Sequence, residues 1–288
     1  MSQSSLIKLE NVSWAYSRAG QWALNNISME IGEGDFVAVM GANGAGKTTF
    51  CRLLNGLIPH SLNGKLRGTV TIDGIKTTDT TVTRLAHKTG MAFEDPNTQL
   101  LTTRVFDEAA FGLENLLLPR QEITERVQWA LNAAGLAGLQ NHSPSALSGG
   151  QKQRLAIAAA LAMAEKILVL DEPASQLDPA GAREVLSLIG ELRGRRGLTV
   201  VMATNSGDEA AEFADKICVL DSGRLAAYGG AREIFSALSG SKTDLAIQIP
   251  QVSEFALCMA DIGETLPHYP VSTAEAGKSV LDWYHDGK

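Results

Sequence analysis

The stretch GANGAGKT, Gly41 to Thr48, fixes four positions in the pattern G-x-x-x-x-G-K-[ST]. Glycines at that spacing let backbone N–H groups close around phosphate oxygens. Lys47 is spaced to reach β- and γ-phosphates, and Thr48 to offer its hydroxyl to Mg²⁺. Asn43, Gly44, Ala45, Gly46 and Thr49 complete the candidate nucleotide-binding stretch. With glycine near ~7% of residues, the coincidence arises on the order of once in tens of thousands of sites. An apolar run, GDFVAVM, precedes the loop and a helical pattern, TTFCRLLNGL, follows it. The loop therefore joins a strand to a helix N-terminus, whose positive dipole end favours an anion.

Two further stretches carry chemistry. In ILVLDEP an apolar run ends at Asp171, a hard oxygen ligand suited to Mg²⁺, followed by Glu172, placed to orient or deprotonate an attacking water. Two acids at a strand end are common, but downstream of a phosphate loop they gain meaning. About twenty residues earlier, LSGGQKQRLAIAAALAMA opens an Ala-rich helix with Ser148, Gly149, Gly150 and Gln151. That is a second helix N-terminus able to face an anion, or a plain N-cap.

The elements that must position these groups read as α/β. Short apolar runs ending at Met40, Leu170, Thr204 and Leu220 suit strands buried on both faces. Helical patterns such as ITERVQWALNAAGL (123–136) and GAREVLSLIGELRG (181–194) lie between them, which predicts a mainly parallel sheet. The opening IKLENVSWAYS alternates like an antiparallel strand. After about residue 236 a small helical appendix is expected, with Val252, Phe255, Ala256 and Met259 on one face and a capping box from Ser272 to Glu275. A tail folded back on the main core is the other reading. The charge of −7, from 25 basic and 32 acidic side chains, argues against a nucleic-acid surface. Three widely spaced cysteines and no metal-spaced histidines suit a reducing cytoplasm without a metal cluster. The N-terminus carries no secretion pattern, and the longest apolar run, at 155–164, is too short to span a bilayer.

Phosphate loop, LSGGQ and LDEP, in that order, resemble the ATP-binding cassette family over roughly residues 5–235. The resemblance implies a P-loop fold with a mainly parallel core, an antiparallel β subdomain and a helical subdomain at about 95–160; the tail from IQIPQVSEFALCMADIG to VSTAEAGKSVL, within 236–288, is similar to the C-terminal extension of the energy-coupling factor subfamily, which contributes to dimer contacts. The cassette resemblance implies ATP and Mg²⁺ as cofactors, Tyr16 stacked on adenine, and a dimer in which Ser148, Gly149, Gly150 and Gln151 face the partner's ATP. Asp178, in SQLDP, would lie where the two subunits sense each other. MAFEDPNTQLLTTRVFDEAAFGLENLLLP is similar to a segment of the energy-coupling factor subfamily, whose ATPases sit in membrane complexes importing vitamins, cobalt or nickel. The implied partners are a second cassette subunit, identical or different, a transmembrane coupling protein and a substrate-binding membrane subunit, with no nucleic acid. The implied location is peripheral, on the cytoplasmic face of the cell membrane. Glu94, Asp95, Asp107, Glu108 and Glu114 among Phe106, Phe111 and Leu113 are expected to form the membrane partner's dock.

The chain departs from the family at two places. Asn205 stands where a histidine contacts the γ-phosphate, and Glu94 where a glutamine is usual. Asparagine offers a neutral hydrogen bond but neither positive charge nor a mobile proton. Glu94 can ligate Mg²⁺ or hold a water, yet adds negative charge beside a triphosphate. Glu172, Glu94 and Asn205 are thus the candidate catalytic group, and Thr48, Asp171 and Glu94 the candidate metal ligands. The pattern suits the hydrolytically impaired half of a heterodimeric importer ATPase; the plainer reading is a slow, active enzyme with tolerated variants. A regulatory nucleotide-binding subunit with little turnover and a non-transport cassette ATPase are the other functions weighed.

Overall fold

The computed structural model describes residues 5–163, 166–240 and 247–286. Among them the strands are β1 (Ser5–Tyr16), β2 (Leu24–Gly32), β3 (Phe36–Met40), β4 (Gly64–Ile72), β5 (Ile75–Lys76), β6 (Thr89–Ala92), β7 (Ile167–Asp171), β8 (Thr199–Ala203), β9 (Lys216–Asp221) and β10 (Arg224–Gly230). The helices are α1 (Lys47–Leu54), α2 (Leu57–His60), α3 (Val82–Ala86), α4 (Val105–Asn115), α5 (Arg120–Ala133), α6 (Gly149–Met163), α7 (Pro179–Arg196), α8 (Gly207–Phe213), α9 (Ala231–Gly240), α10 (Gln251–Asp261) and α11 (Thr273–Asp286).

Two sheets result. One is antiparallel in the order β2-β1-β4-β5; the other has the order β10-β9-β3-β8-β7-β6 and is parallel from β9 to β6, with β10 antiparallel at its edge. Every residue of β3, β7 and β8 is buried, as continuous apolar runs covered on both faces require. Trp14, Phe50 and Ile7 lie in an apolar cluster shared by β1, α1 and the parallel sheet. A second cluster joins α4, α5 and α6 to the sheet.

Helix ends are set by short-range chemistry. Asp178 accepts from the Gly181 N–H at 2.6 Å, Pro179 follows in the first turn of α7, and Gly197, at φ 66°, closes the helix. At α6 the Gln151 N–H donates to Ser148 Oγ at 3.3 Å, and Gln151 Oε1 accepts from the Ser148 N–H at 3.0 Å, a reciprocal capping box.

The tail rejoins the main body. Ile247, Ile249, Val271 and Tyr269 pack with Ala210 of α8, Phe235 of α9 and Met40 of β3. The expected apolar face of α10 is corrected: Ser253 and Ala256 are its buried pair, and Phe255 is 44% exposed. Ser253 takes the interior place because its hydroxyl donates to Pro270 O at 2.7 Å, which offsets the cost of burying it. The box at α11 forms, with the Glu275 N–H on Ser272 Oγ at 3.4 Å and Glu275 Oε2 on the Val271 N–H at 2.9 Å. No helix among the described residues is long and apolar enough to cross a membrane.

Candidate active site

Strands β3, β6, β7 and β8 end on one edge of the parallel sheet, where such sheets place their ligand crevice. A cleft of about 470 Å³ opens there, lined by Tyr16, Ala23, Asn43, Gly44, Gly46, Lys47, Thr48, Thr49, Glu94, Glu172 and Asn205. The loop after β3 can run so close to the β-subdomain only because of glycine. Gly46 has φ +109°, and a Cβ there would meet Ala23 O at 2.7 Å. Ala45 is buried beneath the loop and does not line the cleft.

Lys47 is 7% exposed and surrounded by oxygen. Its Nζ donates to Gly41 O at 2.9 Å and to Asn205 Oδ1 at 2.8 Å, and lies 3.6 Å from Glu172 Oε1. Asn205 in turn donates its backbone N–H to Glu172 Oε2 at 3.3 Å and its side-chain amide to Asn43 Oδ1 at 3.5 Å. The position that departs from the family therefore takes part in a network with the loop lysine and the candidate base.

Asp171 accepts from the Thr48 hydroxyl at 3.2 Å. Burial pushes its carboxyl up, with Glu94 adding to the rise, while the Thr48 bond, Arg52 and Lys47 oppose it. Burial also raises the Glu172 carboxyl; Lys47 and the Asn205 N–H pull it down, and Asp171 and Glu94 push it up. A raised carboxyl holds a proton more firmly, which is what a general base requires. Glu172 sits at φ 49°, in the left-handed region that non-glycine residues enter at a cost of about 1–2 kcal/mol. Its N–H bonds Ala203 O at 3.0 Å, so the sheet holds this conformation.

The donors Thr48, Asp171 and Glu94 offer oxygen alone, which fits a hard cation. Among the described residues no group of three or more His, Cys, Asp or Glu side chains is disposed to hold a metal. Mg²⁺ here would take the rest of its shell from phosphate oxygens and water, its usual habit.

Tyr16 stands at the rim. Its hydroxyl shares a hydrogen bond of 3.1 Å with Thr49 Oγ1 and accepts from Arg52 at 3.4 Å, and its ring meets Trp14 edge-on at 5.7 Å. Ala23, which lines the cleft, and Arg52, which bonds Tyr16 at its rim, are residues that sequence reasoning did not single out. Arg52 lies one helical turn beyond Thr48 on α1; Ala23 carried no signal, because only folding brings it to Gly46.

Ser148, Gly149, Gly150 and Gln151 do not line this cleft; Ser148 and Gly149 are exposed at the start of α6, with Gln176 beside Gly149 and Leu177 beside Gly150. On the helical side two expected dock residues are corrected. Glu108 is 5% exposed and its Oε2 accepts from the Leu101 and Thr102 N–H groups at 2.8 and 2.7 Å, so it fastens a loop. Leu113 is wholly buried in the helical core. Phe111, Leu101 and Leu117 are the exposed apolar residues there, at 45%, 72% and 90%.

The profile of the ABC transporter family matches residues 24–175. An ABC transporter ATP-binding protein of Pyrococcus horikoshii is 42% identical over 285 residues, 99% of each chain. The energy-coupling factor transporter ATP-binding protein EcfA1 of Clostridium perfringens is 40% identical over 257 residues, 88% of this chain and 89% of that one. Among solved structures, cbiO1 of Clostridium perfringens, described as part of the ABC transporter complex cbiONQ, superposes with a TM-score of 0.73 at 31% identity, covering 90% of this chain and 97% of that one. A dimeric ATP-binding cassette bound to ADP and Pi matches with a TM-score of 0.69 at 31% identity, over 78% of this chain and 99% of that one.

Proposed function

Because the chain belongs to the ABC transporter family, we propose that it is the ATP-hydrolysing, energy-coupling subunit of an importer of the energy-coupling factor type, peripheral to the membrane on its cytoplasmic face. In this reading residues 1–235 form the cassette and 236–288 an extension, and the cargo is a vitamin or a transition-metal ion bound by another polypeptide. The observation that carries the proposal is the convergence of Lys47, Thr48, Asp171 and Glu172 on one cleft.

The chemistry follows from those contacts. Backbone N–H groups at Gly44 and Gly46 cradle phosphate, and Lys47 exchanges its oxygen partners for β- and γ-oxygens. Thr48 and Asp171 would hold Mg²⁺, which would neutralise charge on the phosphates. Glu172, its carboxyl raised by burial, takes a proton from the attacking water. Asn205 keeps Lys47 and Glu172 in register but supplies no proton. The N-terminus of α6, Ser148–Gln151, faces the nucleotide of a second cassette, so an intact signature and an altered γ-phosphate contact serve different sites of one heterodimer.

Asn205→His should raise ATP turnover of the assembled complex, by part of the about 10²–10⁴-fold that positioned proton-handling groups supply, because Glu94 remains. The gain has a pH signature. Histidine brings what asparagine lacks, a group that takes up and releases a proton near neutrality. Turnover of the variant should therefore acquire a dependence on pH centred near about pH 6.5 that wild type does not have. A pH–rate profile parallel to wild type would remove Asn205 from the rate-limiting chemistry.

Purification of the native complex tests the function as a whole. It should yield a second cassette subunit and at least one multi-span membrane protein, and cysteines at Asp107 and Phe111 should crosslink to the latter. A chain recovered alone from solubilised membranes, with no crosslink at either position, refutes the transport role.

A further inference from the structure

Asn205 itself is exposed, so its aim depends on the turn that carries it. That turn is fixed from within by Thr204, 2% exposed, whose hydroxyl donates to Glu209 Oε2 at 2.8 Å and whose Oγ1 accepts from the Ser206 N–H at 3.1 Å. Ser206 Oγ caps α8 by accepting from the Glu209 N–H at 3.2 Å. The turn is also held from outside, by a segment some forty residues further along the chain. The Gln251 N–H, first in α10, donates to Asp208 Oδ1 at 2.9 Å. Pro250, the N-cap of α10, makes no side-chain cap of its own, so Asp208 supplies that cap from another helix. Gly207 lets the two backbones touch: a Cβ there would meet Gln248 O at 2.4 Å and the Ile249 carbonyl carbon at 2.5 Å. Ile249 and Ile247 pack on the same cluster as Ala210 of α8 and Met40 of β3, the residue before Gly41.

We infer that Gly207 and Asp208 are positioning residues through which the C-terminal segment 247–251 holds the Asn205 turn against Lys47. The inference rests on the cleft being the ATP site. Four hydrogen bonds link the tail to the lysine. Gln251 fixes Asp208 at the start of α8, and the Ser206 and Thr204 bonds carry that placement to Asn205, whose Oδ1 accepts from Lys47 Nζ. Coupling is reciprocal: if the tail sets the turn, nucleotide drawn onto Lys47 and Asn205 must alter the tail. The extension would then report on, and bias, occupancy of the γ-phosphate end of the cleft.

The test uses the full chain in four forms: wild type, Asp208→Ala, Asp208→Asn and Gln251→Pro. Asparagine keeps an acceptor oxygen at position 208. Proline at the first position of α10 keeps the helix and deletes only the N–H, and Pro250, at φ −57° and ψ 140°, already has the conformation a following proline needs. Hydrogen exchange of residues 252–261 is followed with and without a non-hydrolysable ATP analogue and Mg²⁺. In wild type and Asp208→Asn, nucleotide should slow that exchange about fivefold. In Asp208→Ala and Gln251→Pro it should leave exchange unchanged, nucleotide affinity should weaken by the same factor of about five, and kcat in the assembled complex should fall, with Asp208→Asn restoring all three. Nucleotide binding with no slowing in wild type, or equal slowing in all four, overturns the coupling. A wild-type chain that binds no nucleotide overturns the proposed function, and the inference with it.

Discussion

Lys47→Ala should abolish high-affinity ATP binding to this chain, the largest single loss of affinity expected anywhere in the cleft. A charge-assisted contact is worth about 1.5–3 kcal/mol, so the affinity should fall roughly 10–150-fold. The surroundings deepen the effect. Lys47 is 7% exposed, and without its ammonium the oxygens of Gly41, Asn205 and Glu172 face one another without a cation. Lys47 is also the main influence holding the Glu172 carboxyl down, so the variant's glutamate should take up a proton at higher pH than in wild type. Calorimetry on the isolated chain checks the first point; an affinity within threefold of wild type refutes the role.

Glu172→Gln should trap ATP at this chain's site, lowering hydrolysis there by about 10²–10⁴-fold, the usual worth of a positioned base. Glutamine keeps the size and the hydrogen-bond acceptor but cannot take the water's proton. Transport by the assembled complex separates the two accounts of Asn205. With an asymmetric pair of sites, the substitution slows transport only modestly, whereas the equivalent substitution in the partner stops it. If Glu172→Gln alone eliminates transport and ATPase activity, Asn205 is a tolerated substitute in a working site.

What the sequence disclosed was what a contiguous stretch of chain determines. Lys47 and Thr48 are placed by the loop they belong to, and Asp171 and Glu172 by the end of one strand, so motif spacing located them. The parallel sheet was legible because β3, β7 and β8 are buried on both faces and hence apolar throughout. Reading failed where exposure depends on a neighbour remote in sequence. Glu108 looks like a surface acid until the backbone at Leu101 and Thr102 turns towards it. Phe255 fits an apolar face by period, yet Ser253 holds the interior place because Pro270 offers it a carbonyl. Asp208 gave no signal at all, since its partner is an N–H forty-three residues away.

The cleft has a floor and a lip, and they differ in how freely they can change. Lys47 and Asp171 are 7% and 2% exposed, so altering either disturbs packed structure as well as chemistry. Glu94 and Asn205 lie exposed at the lip, outside the packed interior, so a substitution at either leaves the apolar core as it is. A paralogue released from the duty of hydrolysis would therefore drift first at positions 94 and 205, keeping its fold and its hold on nucleotide. Retuning such a cassette, in a genome or at the bench, begins at those two side chains, because there activity can be traded without wagering the protein's ability to fold.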